Sequence, residues 1–247
     1  MSLPQPPVAL ITGAAGGIGC AMVCAFEAAG WQVVSTDLQP LARAGHLVLD
    51  ISACTDPTRA DHQRVIAALL AATGGRLKAL VANAAHQVVK PSGDLTATDW
   101  QQTLGVNLLS PFWLAMAFKS ELAANQGSFL AVSSIHAHLT KPGFVAYATS
   151  KAALSGMVRA LAVELGGQVR CNAICPAAIA TPMLVAGFEG RPEALAALQS
   201  YHPVRRMGYP DEVAQAALFA CSDAAGFLNG SCIDLSGGIS ARLHDPV

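Results

Sequence analysis

Charged side chains are scarce in this chain. Asp, Glu, Lys and Arg make up 13% of its 247 residues, and the formal net charge is −1. Lys and Arg are scattered, so no basic run meets the electrostatic demand of nucleic-acid binding. Aromatic residues are also few, at 6%, although 53% of the chain is hydrophobic. No stretch approaches the roughly 18 uninterrupted apolar residues of a membrane span. The apolar excess is therefore expected to be buried inside the domain or between subunits. The opening Met1-Ser2-Leu3-Pro4-Gln5-Pro6-Pro7 lacks the charged and apolar regions of a signal peptide. Cys-x-x-Cys pairs are absent too: the cysteines number seven, an odd set that fits reduced thiols in the cytoplasm. Internal repeats, linkers and low-complexity segments are missing, so residues 1–247 read as one domain.

What the chain does have is a regular alternation. Val8-Ala9-Leu10-Ile11 is a continuous apolar run, as expected of a parallel strand buried on both faces. It leads into Thr12-Gly13-Ala14-Ala15-Gly16-Gly17-Ile18-Gly19 and a helical pattern through Phe26. A strand, a glycine-rich turn and a helix form the arrangement that binds a dinucleotide. Glycine lets the backbone approach a pyrophosphate, whose charge the helix N-terminus meets. The next strand, Trp31 to Thr36, ends at Asp37, 18 residues after Gly19. A carboxylate there accepts hydrogen bonds from both adenosine ribose hydroxyls and repels a 2′-phosphate, which favours NAD over NADP. Arg43 is the one nearby cation that would reach the same region.

Only twelve residues separate Asp37 from Asp50, too few for a crossover helix plus a strand. His46–Asp50 is expected as a third strand, with Asp50 and Ile51 at its carboxyl end beside an adenine. A helix is expected over 58–73, a fourth strand over Leu77–Ala82, and then Asn83, suited to tying one strand end to its neighbour. Residues 98–124 read as one long helix, kinked where Asn107 sits in an apolar stretch, because Pro111 cannot donate back to its carbonyl. Strands are expected over Ser128–Ser133, Val169–Ile174 and Ser231–Leu235, with helices from Tyr147 to about Gly166 and from Pro210 to about Ala220. Residues 182–207, with Gly187, Gly190, Pro192 and Pro203, read as a loop or lid carrying Met183 on an apolar face, the alternative being an ordinary surface helix over Ala194–Leu198. The fold class is thus α/β, a single-domain Rossmann-type doubly wound parallel sheet of about seven strands flanked by helices.

The chemistry is centred on Tyr147-Ala148-Thr149-Ser150-Lys151. Residues four apart share one helix face, so phenol and ammonium point the same way. A free phenol has a pKa of about 10, and a cation nearby stabilises its anion and lowers that value. Thirteen residues earlier, Ser134 ends an apolar run and offers a hydroxyl to a substrate oxygen.

Together these features resemble the short-chain dehydrogenase/reductase family over nearly the whole chain. Thr12-Gly13-x-x-x-Gly17-x-Gly19 matches its cofactor motif, and Ser134, Tyr147 and Lys151 match its catalytic residues in order and spacing. Asn107 falls at the fourth catalytic position, and Asn172 to Pro182 matches the segment lining the nicotinamide. Two departures replace glycine by alanine, at Ala85 and at Ala177. The resemblance implies an NAD-dependent oxidoreductase acting on an alcohol or ketone. Tyr147 would exchange the proton, Lys151 would lower its pKa and hold the ribose, and Ser134 would steady the substrate oxygen. The carbonyl of Asn107 would hold a relaying water. Cofactor contacts fall to Gly13, Gly17, Ile18, Gly19, Asp37, Asp50, Ile51, Asn83, Tyr147, Lys151, Pro176, Ile179 and Thr181.

His86, His136 and His138 lie near these motifs and, with Met183, are candidates to line the substrate pocket. Zinc would require further ligands at tetrahedral spacing, so no metal is expected. Two competing readings are NADPH-dependent carbonyl reduction, distinguished at Asp37, and a non-catalytic NAD-binding regulator, distinguished by NADH formation. The helices around Tyr147 and around Phe112, Trp113, Met116 and Phe118 are apolar nearly all round. That predicts a homodimer or homotetramer, the pairing of helices that similar family members use.

Overall fold

In the computed structural model, which describes residues 5–243, Val8–Thr12 forms strand β1 and is buried at every position. Met1–Pro4 of the N-terminal reading and residues 244–247 of the assigned domain lie outside the described residues. Val8 and Leu10 point into one core with Leu69, Leu114, Phe118 and Leu154. Ala9 and Ile11 point into a second with Met22, Phe26, Val213 and Ala217. A strand apolar on both faces has to be covered from both sides.

The other strands are β2 (Gln32–Asp37), β3 (His46–Val48), β4 (Leu77–Ala82), β5 (Ser128–Val132), β6 (Arg170–Pro176) and β7 (Cys232–Leu235). All seven pair in parallel, in the order β3-β2-β1-β4-β5-β6-β7. The order reverses between β1 and β4, and ligands of such sheets bind outside the strand carboxyl ends at that point. The helices are α1 (Gly17–Ala28), α2 (Ala60–Thr73), α3 (Ala97–Leu104), α4 (Ser110–Ala124), α5 (Val145–Leu165), α6 (Pro182–Ala186), α7 (Pro192–Tyr201) and α8 (Pro210–Cys221). Packing places α1 and α8 on the Ala9–Ile11 face and α2, α4 and α5 on the other.

Several boundaries differ from the sequence reading. The third strand stops at Val48, because the Asp50 carboxylate accepts the Ser52 amide at 2.8 Å and caps a short helical turn over Ile51–Ala53. The single helix expected over 98–124 is three pieces, with a π-helical turn at Gly105–Leu109 between α3 and α4. The expected kink at Asn107 is this turn: Pro111 has no N–H for the Asn107 carbonyl, and Ser110 donates instead to Gly105, five residues back. β6 runs on to Pro176 because β7 pairs with it as far as Leu235. Residues 182–207 contain two helices rather than open loop. Pro182 and Pro192 stand at helix starts, where a missing N–H costs nothing, and Thr181 Oγ1 caps α6 by accepting the Leu184 amide at 3.2 Å.

Candidate active site

The glycine loop is shaped by close approach. Gly13 has φ of 67°, and a Cβ there would lie 2.7 Å from the Cα of Ala84. A Cβ on Gly19 would lie 2.1 Å from the Gly13 carbonyl oxygen. Neither position admits a side chain, so β1, the turn and the β4 end fit together only with glycine. Gly16 caps α1 with no side-chain acceptor, which leaves the first-turn amides without a protein anion. The donor set and the bare cradle fit a pyrophosphate. A Cβ on Gly17 would be 3.1 Å from Thr181 and Pro182, so the entry to α6 rests against this loop.

Asp37 closes β2, its Oδ2 accepting the Ala15 amide and its Oδ1 the Gln39 amide, each at 3.0 Å. The carboxylate is therefore oriented by the glycine loop itself. Arg43 is occupied elsewhere: its guanidinium pairs with Glu27 and donates to Ser35 Oγ at 2.6 Å and to the Val33 carbonyl at 3.3 Å. Asp50 and Ile51 lie just past the end of β3 rather than on it, with Ile51 buried and its carbonyl accepting from Ser110 Oγ. Asn83 is a tie. Its amide donates to the carbonyls of Thr12 and Gly13 at 2.9 and 3.0 Å, which commits its side chain to the β1–β4 join.

Ser134 lies two residues past the end of β5, and α5 lays Tyr147 and Lys151 beside it. Lys151 is 2% exposed, and Nζ donates to the Val132 carbonyl at 2.7 Å, 5.6 Å from the Tyr147 ring centroid. Burial pushes the Lys151 ammonium down to about 8. Burial pushes the Tyr147 phenol up, opposed by the Ser134 hydroxyl. Contrary to the sequence expectation, Lys151 is not among the groups that shift the phenol: desolvation is the larger cause, and the ammonium is turned to the Val132 carbonyl.

Asn107, fully buried, clasps the chain at His86. Its Oδ1 accepts the His86 amide at 2.7 Å, and its Nδ2 donates to the His86 carbonyl and to Ser150 Oγ, both at 2.9 Å. Ser150 Oγ in turn donates to the Tyr147 carbonyl at 2.7 Å. Sequence reasoning missed Ser150, and it missed Ser133, whose Oγ donates to the Lys151 carbonyl at 3.0 Å and bonds Ser155 Oγ at 2.8 Å. Ser133 and Ser155 tie α5 to the end of β5, whereas Ser150 ties it to the turn at Asn107; the only signal was small polar residues among apolar ones.

Three histidines fare differently. His136 stacks on Phe144 (centroids 4.5 Å apart, planes 8° apart) and meets Tyr147 edge-on at 5.7 Å. His138 lies 3.6 Å from Asp234 of β7. His86 reaches the site through its main chain, held by Asn107. Pro176 ends β6, Ile179 is buried and bridges Gly208, and Thr181 caps α6, whereas Met183 is 86% exposed. Among the described residues no group of three or more His, Cys, Asp or Glu is placed to hold a metal ion, and no helix is long and apolar enough to cross a membrane.

A family model described as enoyl-(acyl carrier protein) reductase matches residues 13–240. Protein FixR of Bradyrhizobium diazoefficiens is 37% identical over 255 residues, which cover 95% of this chain and 87% of that protein. D-threitol dehydrogenase of Mycolicibacterium smegmatis is 35% identical, covering 95% and 93%. A solved structure from Beutenbergia cavernae, designated an NAD(P)-dependent gluconate 5-dehydrogenase and holding NADP at low occupancy, superposes with a TM-score of 0.85. It is 27% identical, covering 96% of this chain and 97% of that one. The chain belongs to the short-chain dehydrogenase/reductase family, oxidoreductases that move a hydride between a nicotinamide cofactor and an alcohol or carbonyl carbon.

Proposed function

We propose that this protein is an NAD-dependent dehydrogenase that oxidises an alcohol to a ketone, or the reverse, with Tyr147 as the acid–base. One observation carries the reading: α5 sets Tyr147 and a buried Lys151 on one face, against Ser134 at the carboxyl end of β5. When bound, the nicotinamide supplies the acceptor or donor of hydride. Tyr147 takes or gives the alcohol proton, and Ser134 Oγ bonds the same oxygen. Lys151 holds positive charge beneath the phenol and binds the nicotinamide ribose. Asn107 fixes the turn whose carbonyl, left free by Pro111, holds a relaying water.

Gly13, Gly17, Ile18, Gly19 and the open amides of α1 hold the pyrophosphate, Asp37 the adenosine ribose, Asp50 and Ile51 the adenine, and Pro176, Ile179 and Thr181 the nicotinamide. Asn83 serves by fixing the loop. NAD is favoured over NADP because the Asp37 side chain is oriented by the glycine loop at the end of β2, while Arg43, bound to Glu27 and Ser35, is not free to neutralise a phosphate. Residues 183–190, within the 182–207 segment, form a lid over the substrate, with His86, His136, His138 and Met183 bordering the pocket. Val163 on α5, 88% exposed, and Leu109 beside α4, 40% exposed, belong to faces covered in a homodimer or homotetramer. The seven free cysteines suit the cytoplasm.

Titration calorimetry with NAD and NADP tests the cofactor; NAD is expected to bind at least about 10²-fold tighter, and equal affinities would refute the assignment. NADH formation with an alcohol panel tests the activity. Light scattering at micromolar concentration tests assembly, where a particle of 25.4 kDa would exclude an oligomer.

A further inference from the structure

We infer that His136 binds a second hydroxyl of the substrate, close to the reacting carbinol, and so selects polyols over simple alcohols; this rests on Tyr147 being the acid–base. Three observations place the imidazole. Its ring lies flat on Phe144, itself only 7% exposed, and meets Tyr147 edge-on at 5.7 Å. Its own amide donates to Ser134 Oγ at 3.1 Å, so the residue that presents the ring also orients the serine. Its Nδ1 is bonded to Thr140 Oγ1 at 2.9 Å, which fixes the rotation of the ring.

Nε2 is then the uncommitted polar atom of the ring. It has no protein partner among the described residues and is not sealed from solvent. Burial and the Lys141 ammonium, which sits 4.8 Å from the Phe144 centroid, hold His136 below the ordinary histidine value and favour the neutral ring. A neutral imidazole donates to or accepts from a hydroxyl and offers no charge to a carboxylate. A mono-alcohol seated at Tyr147 excludes water from Nε2 without replacing its hydrogen bond, whereas a diol replaces it. Sites built to hydrogen-bond a hydroxyl discriminate strongly against analogues that lack it.

The test pairs 2-butanol with 2,3-butanediol, and cyclohexanol with the stereoisomers of cyclohexane-1,2-diol, using the full-length enzyme and NAD. The diol of each pair is expected to have the higher kcat/KM by about tenfold or more. His136→Phe keeps the stack on Phe144 but removes Nε2, and is expected to bring that ratio close to one, with His136→Gln restoring part of it. A readout independent of turnover is histidine nitrogen NMR of the NAD-saturated Tyr147→Phe variant. There the His136 signal is expected to move with 2,3-butanediol and not with 2-butanol. Equal kcat/KM within the pairs, a ratio that survives His136→Phe, an unmoved His136 signal, or preference for 3-hydroxybutyrate over butane-1,3-diol would each overturn the inference alone. Absence of turnover across the whole panel would instead overturn the dehydrogenase reading on which it rests.

Discussion

Lys151 donates through Nζ to the main-chain carbonyl of Val132 at 2.7 Å, so the deepest cation in the molecule is held by a carbonyl dipole and not by a carboxylate. Its pKa falls from 10.5 to about 8 through burial, a change equivalent to about 3 kcal/mol. Below about 8 both folded and unfolded chains carry the proton, and the full cost is present. Between about 8 and 10.5 the unfolded chain keeps a proton that the folded chain has released, so stability rises with pH. Lys151→Met removes the cost but orphans the Val132 carbonyl, worth about 1–3 kcal/mol the other way. Near-equal stability is expected at pH 7, with wild type gaining up to about 3 kcal/mol relative to the variant as pH climbs through that window. Urea unfolding across the range checks this, and a constant difference would contradict it. Turnover and NAD affinity are both expected to be lost.

Tyr147→Phe removes the titrating oxygen and almost no volume. Folding and NAD binding are expected to persist, while kcat falls by about 10²-fold or more. Retention of a tenth of wild-type kcat would exclude Tyr147 as the acid–base. Because burial raises the phenol pKa in the free protein, its ultraviolet titration, taken as wild type minus variant, is expected to have a midpoint above the ordinary phenol value of about 10. A midpoint below that value without cofactor would mean that Lys151 acts on the phenol from where it lies.

Asn107 makes three side-chain hydrogen bonds in a fully buried position, two to the main chain of His86 and one to Ser150. Asn107→Ala leaves those partners dry, at a cost of about 2–4 kcal/mol in stability. The His86 amide is expected to lose its protection from hydrogen exchange before neighbouring amides do. Protection unchanged at His86 would show that the clasp is not what orders the 83–90 segment.

How much of this was legible in the sequence depended on whether a signal was local. The β1–glycine–α1 unit was readable because strand period, glycine and helix start are contiguous, and Asp37, Ser134, Tyr147 and Lys151 followed from spacing. The kink at Asn107 was readable too, since Pro111 removes a specific backbone donor. The role of Asn83 was open until its amide was seen on Thr12 and Gly13, a pairing across 70 residues. Arg43 was equally undecidable, because nothing local says that Glu27 and Ser35 hold it. Pro192 misled for a physical reason: the same residue breaks a helix inside and starts one at its first turn. The direction of the Tyr147 shift was not legible because burial is invisible in a linear pattern, and nothing local says that the Lys151 ammonium turns to Val132.

The segment expected to close over the substrate is helical, yet weakly tied. Neither α6 nor α7 has a buried residue, and Met183 and Val185 are 86% and 42% exposed. A five-residue helix gains little from its own hydrogen bonds, and without core contacts such a unit opens at low free energy. The fixed points lie just before it, where Ile179 bridges Gly208 and Thr181 and Pro182 rest on Gly17. Gly190, at φ of 70°, offers a turn beyond it. Closure there would lay the apolar side of α6 over bound substrate and keep water from the reacting carbon. Amides of 183–190 are therefore expected to exchange rapidly in the free enzyme and to slow by at least about tenfold with NAD plus substrate, a coupling of about 1.4 kcal/mol. Hydrogen exchange by mass spectrometry resolves this segment from α7. Amides as protected in the free enzyme as those of β5 would show that the segment is a fixed wall of the pocket and not a lid.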